Sequence, residues 1–265
     1  STYTGGTDVD HATVSINNGN ALGTGTIALN QSTLQTTGTT TLANVIDVTG
    51  TGSVDVAGGT TLSHTGAVTG SGDFVKDGSG SLDQSGVLSQ HGATIVNDGV
   101  LTLSGTNTYT GGTVVNGGTL MFGSDTNLGA ASGDITLNGG SLVATNDVAS
   151  SRDVHLNDAS SVGASNGHTL TLDGTISGQG LLDVHGGTTV LTGVNTYTGG
   201  TEVDAASTLG ITNTQALGAG ALTLSQGGAL AVDASGNLAN NINLNTQGNV
   251  SVAAGNTVAH DGNVS

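Results

Sequence analysis

The chain has 265 residues, 47 of them glycine, with no proline, cysteine or tryptophan and only 2% aromatic residues, so any core is thin and aliphatic. Lys76 and Arg152 are the only fixed cations against 19 acids, a formal charge of -17. That balance excludes nucleic-acid binding, which needs Lys or Arg against phosphates, and argues against docking on anionic lipid.

No apolar run approaches the ~20 residues of a membrane span, so no direct membrane insertion by this segment is expected. The absence of cysteine suits a chain that crosses oxidising compartments, and the absence of proline leaves every residue able to donate to a β-ladder. The chain starts inside a repeated phrase and stops mid-pattern at "DGNVS", as a fragment of a longer protein would.

The first element is the phrase "STYTGGT" at Ser1 to Thr7, which returns as "NTYTGGT" at 107–113 and 195–201 and uses all three tyrosines. Each copy heads a longer unit. Behind the first comes "ALGTGTIALNQSTLQT", behind the second "NLGAASGDITLNGGSLVA", behind the third "ALGAGALTLSQGGALAV". Leu22, Leu128 and Leu217 correspond, as do Ile27, Ile135 and Leu222, then Leu34, Leu142 and Leu230. The reading is therefore three related units, 1–106, 107–194 and 195–265, the last truncated. Tyr109 and Tyr197 lie 88 residues apart, whereas Tyr3 and Tyr109 lie 106 apart. The surplus of 18 falls between Val68 and Tyr109, near "SQHGATIVNDGVLTLSG", and amounts to one extra turn of a solenoid with coils of ~20 residues.

Within the units apolar residues alternate with Thr, Ser, Asn or Asp, as at Ile135/Leu137, Leu170/Leu172, Leu222/Leu224, Ile242/Leu244 and Val250/Val252. Such a period of two marks short strands with one face buried, and the Gly-Gly, Asn-Gly and Asp-Gly pairs between them accept the positive φ of turns. Nothing reads as a helix longer than one turn. Apolar residues also recur every 18 to 20 positions, as at Val154, Leu172 and Val190. A hairpin-built sandwich does not explain that interval. The fold class that does is all-β: a single-stranded right-handed parallel β-helix (solenoid) of about 13 coils, continuous over 1–265 and on the order of 60 Å long. In this register Ile135, Leu137, Val154, Leu156, Leu170 and Leu172 face inward, and Asp153, His155 and Thr171 face outward.

The residues "GTNTYTGGTVVNGGTLMFGSDTNLGAASGDITLNGGSL" from Gly105 to Leu142, and the second run from Gly193 to Leu230, resemble the passenger β-helices of Gram-negative autotransporter adhesins of the passenger-associated-transport-repeat type. The first unit conforms less well, lacking the glycine pair before Leu34. The resemblance implies display on, or secretion from, the surface of a Gram-negative bacterium, with an export signal and a membrane barrel elsewhere in the full chain. Tyr3, Tyr109 and Tyr197 are then expected at equivalent corners, each ring covering the rim of the core while the following Gly-Gly turns the chain.

β-Helices also host lyases and hydrolases, so the fold class alone does not exclude an enzyme. The candidates are "DVDH" at Asp8 to His11, "RDVH" at Arg152 to His155 and "LDVH" at Leu182 to His185. In a strand Asp153 and His155, or Asp183 and His185, share an outward face, and the plainer reading of each is a solvated pair. Eighteen of the 19 acids are Asp, the exception being Glu202, and many sit in turns. Cleaving acidic sugars calls for cations and sugar clefts call for aromatic platforms, both missing here. No zinc spacing or GGxGxD calcium motif occurs, and His64, His91, His168 and His260 stand apart from one another in sequence. Thr-x-Thr pairs are too irregular for an ice-binding face. The expectation is thus no enzyme, no catalytic, cofactor or metal site, and a stalk with an adhesive face of repeated polar side chains. Its partners would be a second copy of the chain or a receptor on a host or other surface. A self-assembling filament, or the scaffold of an enzyme whose catalytic domain lies outside the segment, are the alternatives.

Overall fold

The computed structural model describes residues 1–245 and 247–265. It is an all-β, parallel β-solenoid of about 13 turns. The sole helical piece among the described residues is a single 3₁₀ turn, Asp125–Leu128, capped by Ser124 with Asn127 closing the box. The chain divides into two compact units, Ser1–Gly133 and Asp134–Ser265, a division that falls inside the second sequence repeat.

In the first unit strands pair in parallel with strands one turn away, 19 to 22 residues along the chain. One inward row runs Ile27, Ile46, Val68, Leu88, and another runs Leu62, Leu82, Leu101, Leu120. In-register stacking explains the composition: each coil needs only one apolar residue per row, and the row is the core. The two strands within 94–103 belong to one coil, which runs from Thr94 to the next layer at Thr113. Its strand Thr94–Val96 lies between Phe74–Lys76 and Thr113–Val115, and its strand Val100–Leu103 between Ser81–Gln84 and Thr119–Phe122. The surplus of the first repeat is accommodated there as one added layer.

In the second unit two inward rows are Val148, Leu170, Thr189, Leu209, Leu230 and Ser150, Leu172, Leu191, Ile211, Val232; Val250 and Val252 continue them in register, but there they are 40% and 44% exposed. Ile135, Leu137, Val154, Leu156, Leu170 and Leu172 are all buried. Asp153 is exposed, and His155 and Thr171 are partly so, which matches the alternation read from the sequence. One expectation needs correction. Val154, Leu172 and Val190 do not form a row: Val154 stacks on Ile176, and Leu172 stacks on Leu191, while Val190 lies opposite Thr171 on the outer face. Because successive side chains alternate faces, an offset of one residue exchanges inside for outside.

The core is also less purely aliphatic than composition implies. In the first unit Lys76 occupies an inward row between Val54 and Val96, and His64 and Gln84 occupy another between Leu42 and Leu103. The Lys76 ammonium donates to the carbonyls of Asp77, Gly78 and Asp98 at 2.7, 2.6 and 3.1 Å, so all three of its protons are used. Burial holds its pKa below the ordinary lysine value, against the opposing pull of Asp98, Asp77 and Asp55.

Candidate functional site

The repeated phrase is the natural first candidate, and its chemistry is spent inside the solenoid. Tyr109 and Tyr197 are fully buried, and each hydroxyl hydrogen-bonds the threonine four residues on, Thr113 at 2.8 Å and Thr201 at 2.6 Å. Tyr3 makes the same bond to Thr7 but sits in the first coil with 41% of its surface exposed. Tyr109 and Tyr197 are therefore core side chains, where the sequence reading expects rings that cover the rim. Burial pushes the Tyr197 hydroxyl up to about 12, so it stays neutral.

The Leu-Gly that follows each phrase a turn later explains how a ring fits. Gly129 and Gly218 have φ of 76° and 57°, and a Cβ on Gly218 would lie 2.3 Å from the Tyr197 carbonyl oxygen and 3.1 Å from its ring. Only a glycine lets the next coil settle against the tyrosine.

The asparagine of the second and third phrases ties three coils together; the first phrase has Ser1 in its place. Asn195 Oδ1 accepts from the Ile176 amide of the coil before at 2.7 Å, and its Nδ2 donates to the Ala216 carbonyl of the coil after at 2.7 Å. Asn107 does the same between Leu88 and Asn127. Asn44, Asn213 and Asn240 donate to corner carbonyls elsewhere. At the same corner, His64 places Nδ1 2.6 Å from Gln84 Oε1 and Nε2 2.8 Å from the Asn44 carbonyl, and burial lowers its pKa.

The paired acids and histidines do not pair as the sequence suggested. Asp153 turns away from His155 and accepts from the Thr175 amide at 2.8 Å. His155 instead bridges coils: Nδ1 lies 2.9 Å from Ser177 Oγ and Nε2 3.4 Å from Asp134 Oδ2. A serine, a histidine and an aspartate in line resemble a catalytic relay in composition. The His155 and Asp134 side chains are, however, 44% and 55% exposed, and the His–Asp contact is long, so water screens the field that would activate Ser177. His185 meets Asp204 at 3.5 Å, and His11 meets its neighbour Asp10 at 2.8 Å. Sequence could not show these partners, because all but His11–Asp10 lie about one coil apart.

A shallow groove of about 330 Å³ in the second unit brings Asp183, Glu202 and Asp204 beside Ser160 and Ser161. Asp183 and Glu202 are direct cross-strand neighbours, an unfavourable like-charge pair. Burial first, then Asp204, raise the Asp183 pKa, while His185 pulls it down. Among the described residues no group of three or more His, Cys, Asp or Glu is placed to hold a metal ion.

On the outer face polar side chains form ladders at coil spacing. Asn116 donates to Asn97 at 2.8 Å and Asn97 to Asp77 at 2.8 Å; Asn30 donates to Asp10 at 2.6 Å, and Asn157 to Asn138 at 2.8 Å. The inward half of the repeat is fixed by structure and the outward half is a repeated polar surface, which is the arrangement that a family comparison bears on. A family model for the passenger-associated-transport-repeat matches residues 97–121 and 186–211. The chain carries two passenger-associated-transport repeats. Each matched stretch contains the buried tyrosine, the coil-tying asparagine and the Gly-Gly turn, a little more than one coil of the solenoid. Such repeats on a parallel β-solenoid fit the passenger of an autotransporter. No curated protein and no solved structure matches the chain.

Proposed function

We propose that this passenger-associated-transport-repeat solenoid is a non-enzymatic segment of an autotransporter-like adhesin, displayed on or secreted from a Gram-negative cell and serving as stalk and adhesive face in cell–cell or surface contact. The observation that carries this reading is the division of labour within each repeat. Tyrosine, asparagine and glycine are consumed in stacking coils, so the outward ladders such as Asp77–Asn97–Asn116 are the repeated chemistry left for a partner. Each ladder step is a weak contact, and a row of them at ~4.8 Å intervals becomes useful only when many engage together. Each unit, a stack of in-register coils, supplies the stiffness of a stalk.

The test is adhesion through avidity. At neutral pH the isolated chain should bind poorly as a monomer and clump when crowded on beads. Because a charge of -17 opposes contact between copies, clumping there should grow as salt screens repulsion over ~10 Å at 0.1 M. Panels of ester, peptide and glycan substrates should remain uncleaved. Beads that never adhere to each other, to cells or to matrix would leave a stalk alone, and turnover of any substrate abolished by His155→Ala would reverse the non-enzymatic assignment.

A further inference from the structure

The two fixed cations of the chain are both buried, Lys76 completely and Arg152 to 3% exposure. The exposed surface thus has aspartates and one glutamate but no lysine or arginine, and among its side chains histidine is the sole source of positive charge. His64 is inside the core. Two of the others stand together at one corner of the unit 134–265. His168 closes the bulge between Ala164 and Thr169, and His185 lies on the strand stacked against it, with Gly163 opposite His185 and Thr169 opposite Thr188. Both side chains are open to solvent.

Each faces an aspartate about one coil away at a long, exposed contact. His168 Nδ1 lies 3.4 Å from Asp147 Oδ1, and His185 Nδ1 lies 3.5 Å from Asp204 Oδ2. In each ring Nε2 has no partner among the described residues. The charged groups around them are all acidic: Asp147 beside His168, and Asp204, with Asp183 on its own strand and Glu202 on the next, around His185.

We propose that the His168/His185 corner is a proton-gated contact for a second copy of this chain. The proposal rests on the homotypic form of the adhesive reading and adds its regulation. A neutral imidazole has one N–H and one bare acceptor nitrogen, and it offers no positive charge to a neighbour. Protonation from solvent places an N–H on both nitrogens. Nδ1–H then holds Asp147 or Asp204 of the same chain, and Nε2–H donates to the corresponding aspartate of the other copy. Each copy supplies both halves of the contact, so a two-fold arrangement is self-complementary. Histidine is the side chain whose ordinary titration lies between pH 5 and 8, while aspartate stays ionised down to about pH 4. The contact therefore closes in mild acid and opens at neutral pH, where copies carry charge of one sign only.

The experiment uses the full chain, in solution by sedimentation velocity and on beads by turbidity, at about pH 7.5 and about pH 5.5, which bracket the histidine range. Salt is raised in each series to about 0.5 M. At low salt, association should be on the order of tenfold stronger at the acid pH. Added salt should then weaken it, since it screens attraction, whereas at the neutral pH added salt should strengthen whatever association exists. H168Q/H185Q keeps a hydrogen-bonding side chain that cannot charge, and it should lose the acid response. H11Q/H91Q, altered elsewhere, should retain it. An acid response that survives in H168Q/H185Q would assign it to the general fall in net charge and overturn the proposal, as would salt strengthening association at both pH values. Clumping that ignores pH would spare the adhesive reading while removing the gate, and no clumping under any condition would remove both.

Discussion

Replacing Asn195 with alanine isolates the function of the phrase that the chain repeats. The side chain is buried and makes two bonds that no other group replaces: the Ile176 amide loses its acceptor and the Ala216 carbonyl loses its donor. Each orphaned buried group costs about 1–3 kcal/mol, so the variant should be less stable by about 2–6 kcal/mol. The control is Asn157→Ala, which removes a bond of similar length, 2.8 Å to Asn138, on the exposed face and should change stability by no more than about 0.5 kcal/mol. Denaturant unfolding followed by circular dichroism gives the global comparison. Amide hydrogen exchange gives the local one: the Ile176 amide should exchange at least about 30-fold faster in the Asn195 variant, the factor that ~2 kcal/mol corresponds to. Asn195→Asp should recover only half of the loss, because a carboxylate still accepts from Ile176 yet faces the Ala216 carbonyl without a proton to give. Equal effects of Asn195→Ala and Asn157→Ala, or an unchanged Ile176 exchange rate, would refute the assignment of the phrase to coil tying.

Leu172→Asp places an uncompensated charge in a closed row between Ser150 and Leu191 and should cost several kcal/mol, whereas His155→Ala on the outer face should stay within about 0.5 kcal/mol; comparable shifts in thermal midpoint would contradict the register. Asp183 has a raised pKa in the folded chain, so its ionisation opposes folding: that penalty is absent below the unfolded value near 3.8 and grows as pH rises through the folded value. Asp183→Asn should accordingly be more stable than the parent at neutral pH, with the advantage vanishing in strong acid, and a variant that is no more stable at pH 7 would show that the carboxylate is paired in solution.

Much of this protein is set by local sequence. Alternation of apolar and polar residues assigns faces, glycine pairs assign turns, and repetition at coil length assigns parallel stacking, since each is a property of a few adjacent residues or of one period. Leu22, Leu128 and Leu217 and their companion triplets are buried as their alignment implies, and the added turn near 94–103 could be read from a difference in spacing alone.

What the tertiary structure alone decides is which side chains meet about 20 residues apart. Val190 looked like the partner of Leu172 because the interval of 18 is close to a coil, yet coils vary from 19 to 22 residues and a single step exchanges faces, so Leu191 fills the row. Asp153 and His155 share a face by alternation but not a bond, because the turn amide of Thr175 and the hydroxyl of Ser177 compete for them from the next coil. The burial of Lys76, the only lysine, was invisible for the same reason: three corner carbonyls converge on its ammonium only once the coils are stacked. Sequence determines the coil, and the contact between coils determines where each charge, ring and amide ends up, because stacking joins residues that are neighbours in space and strangers in the chain.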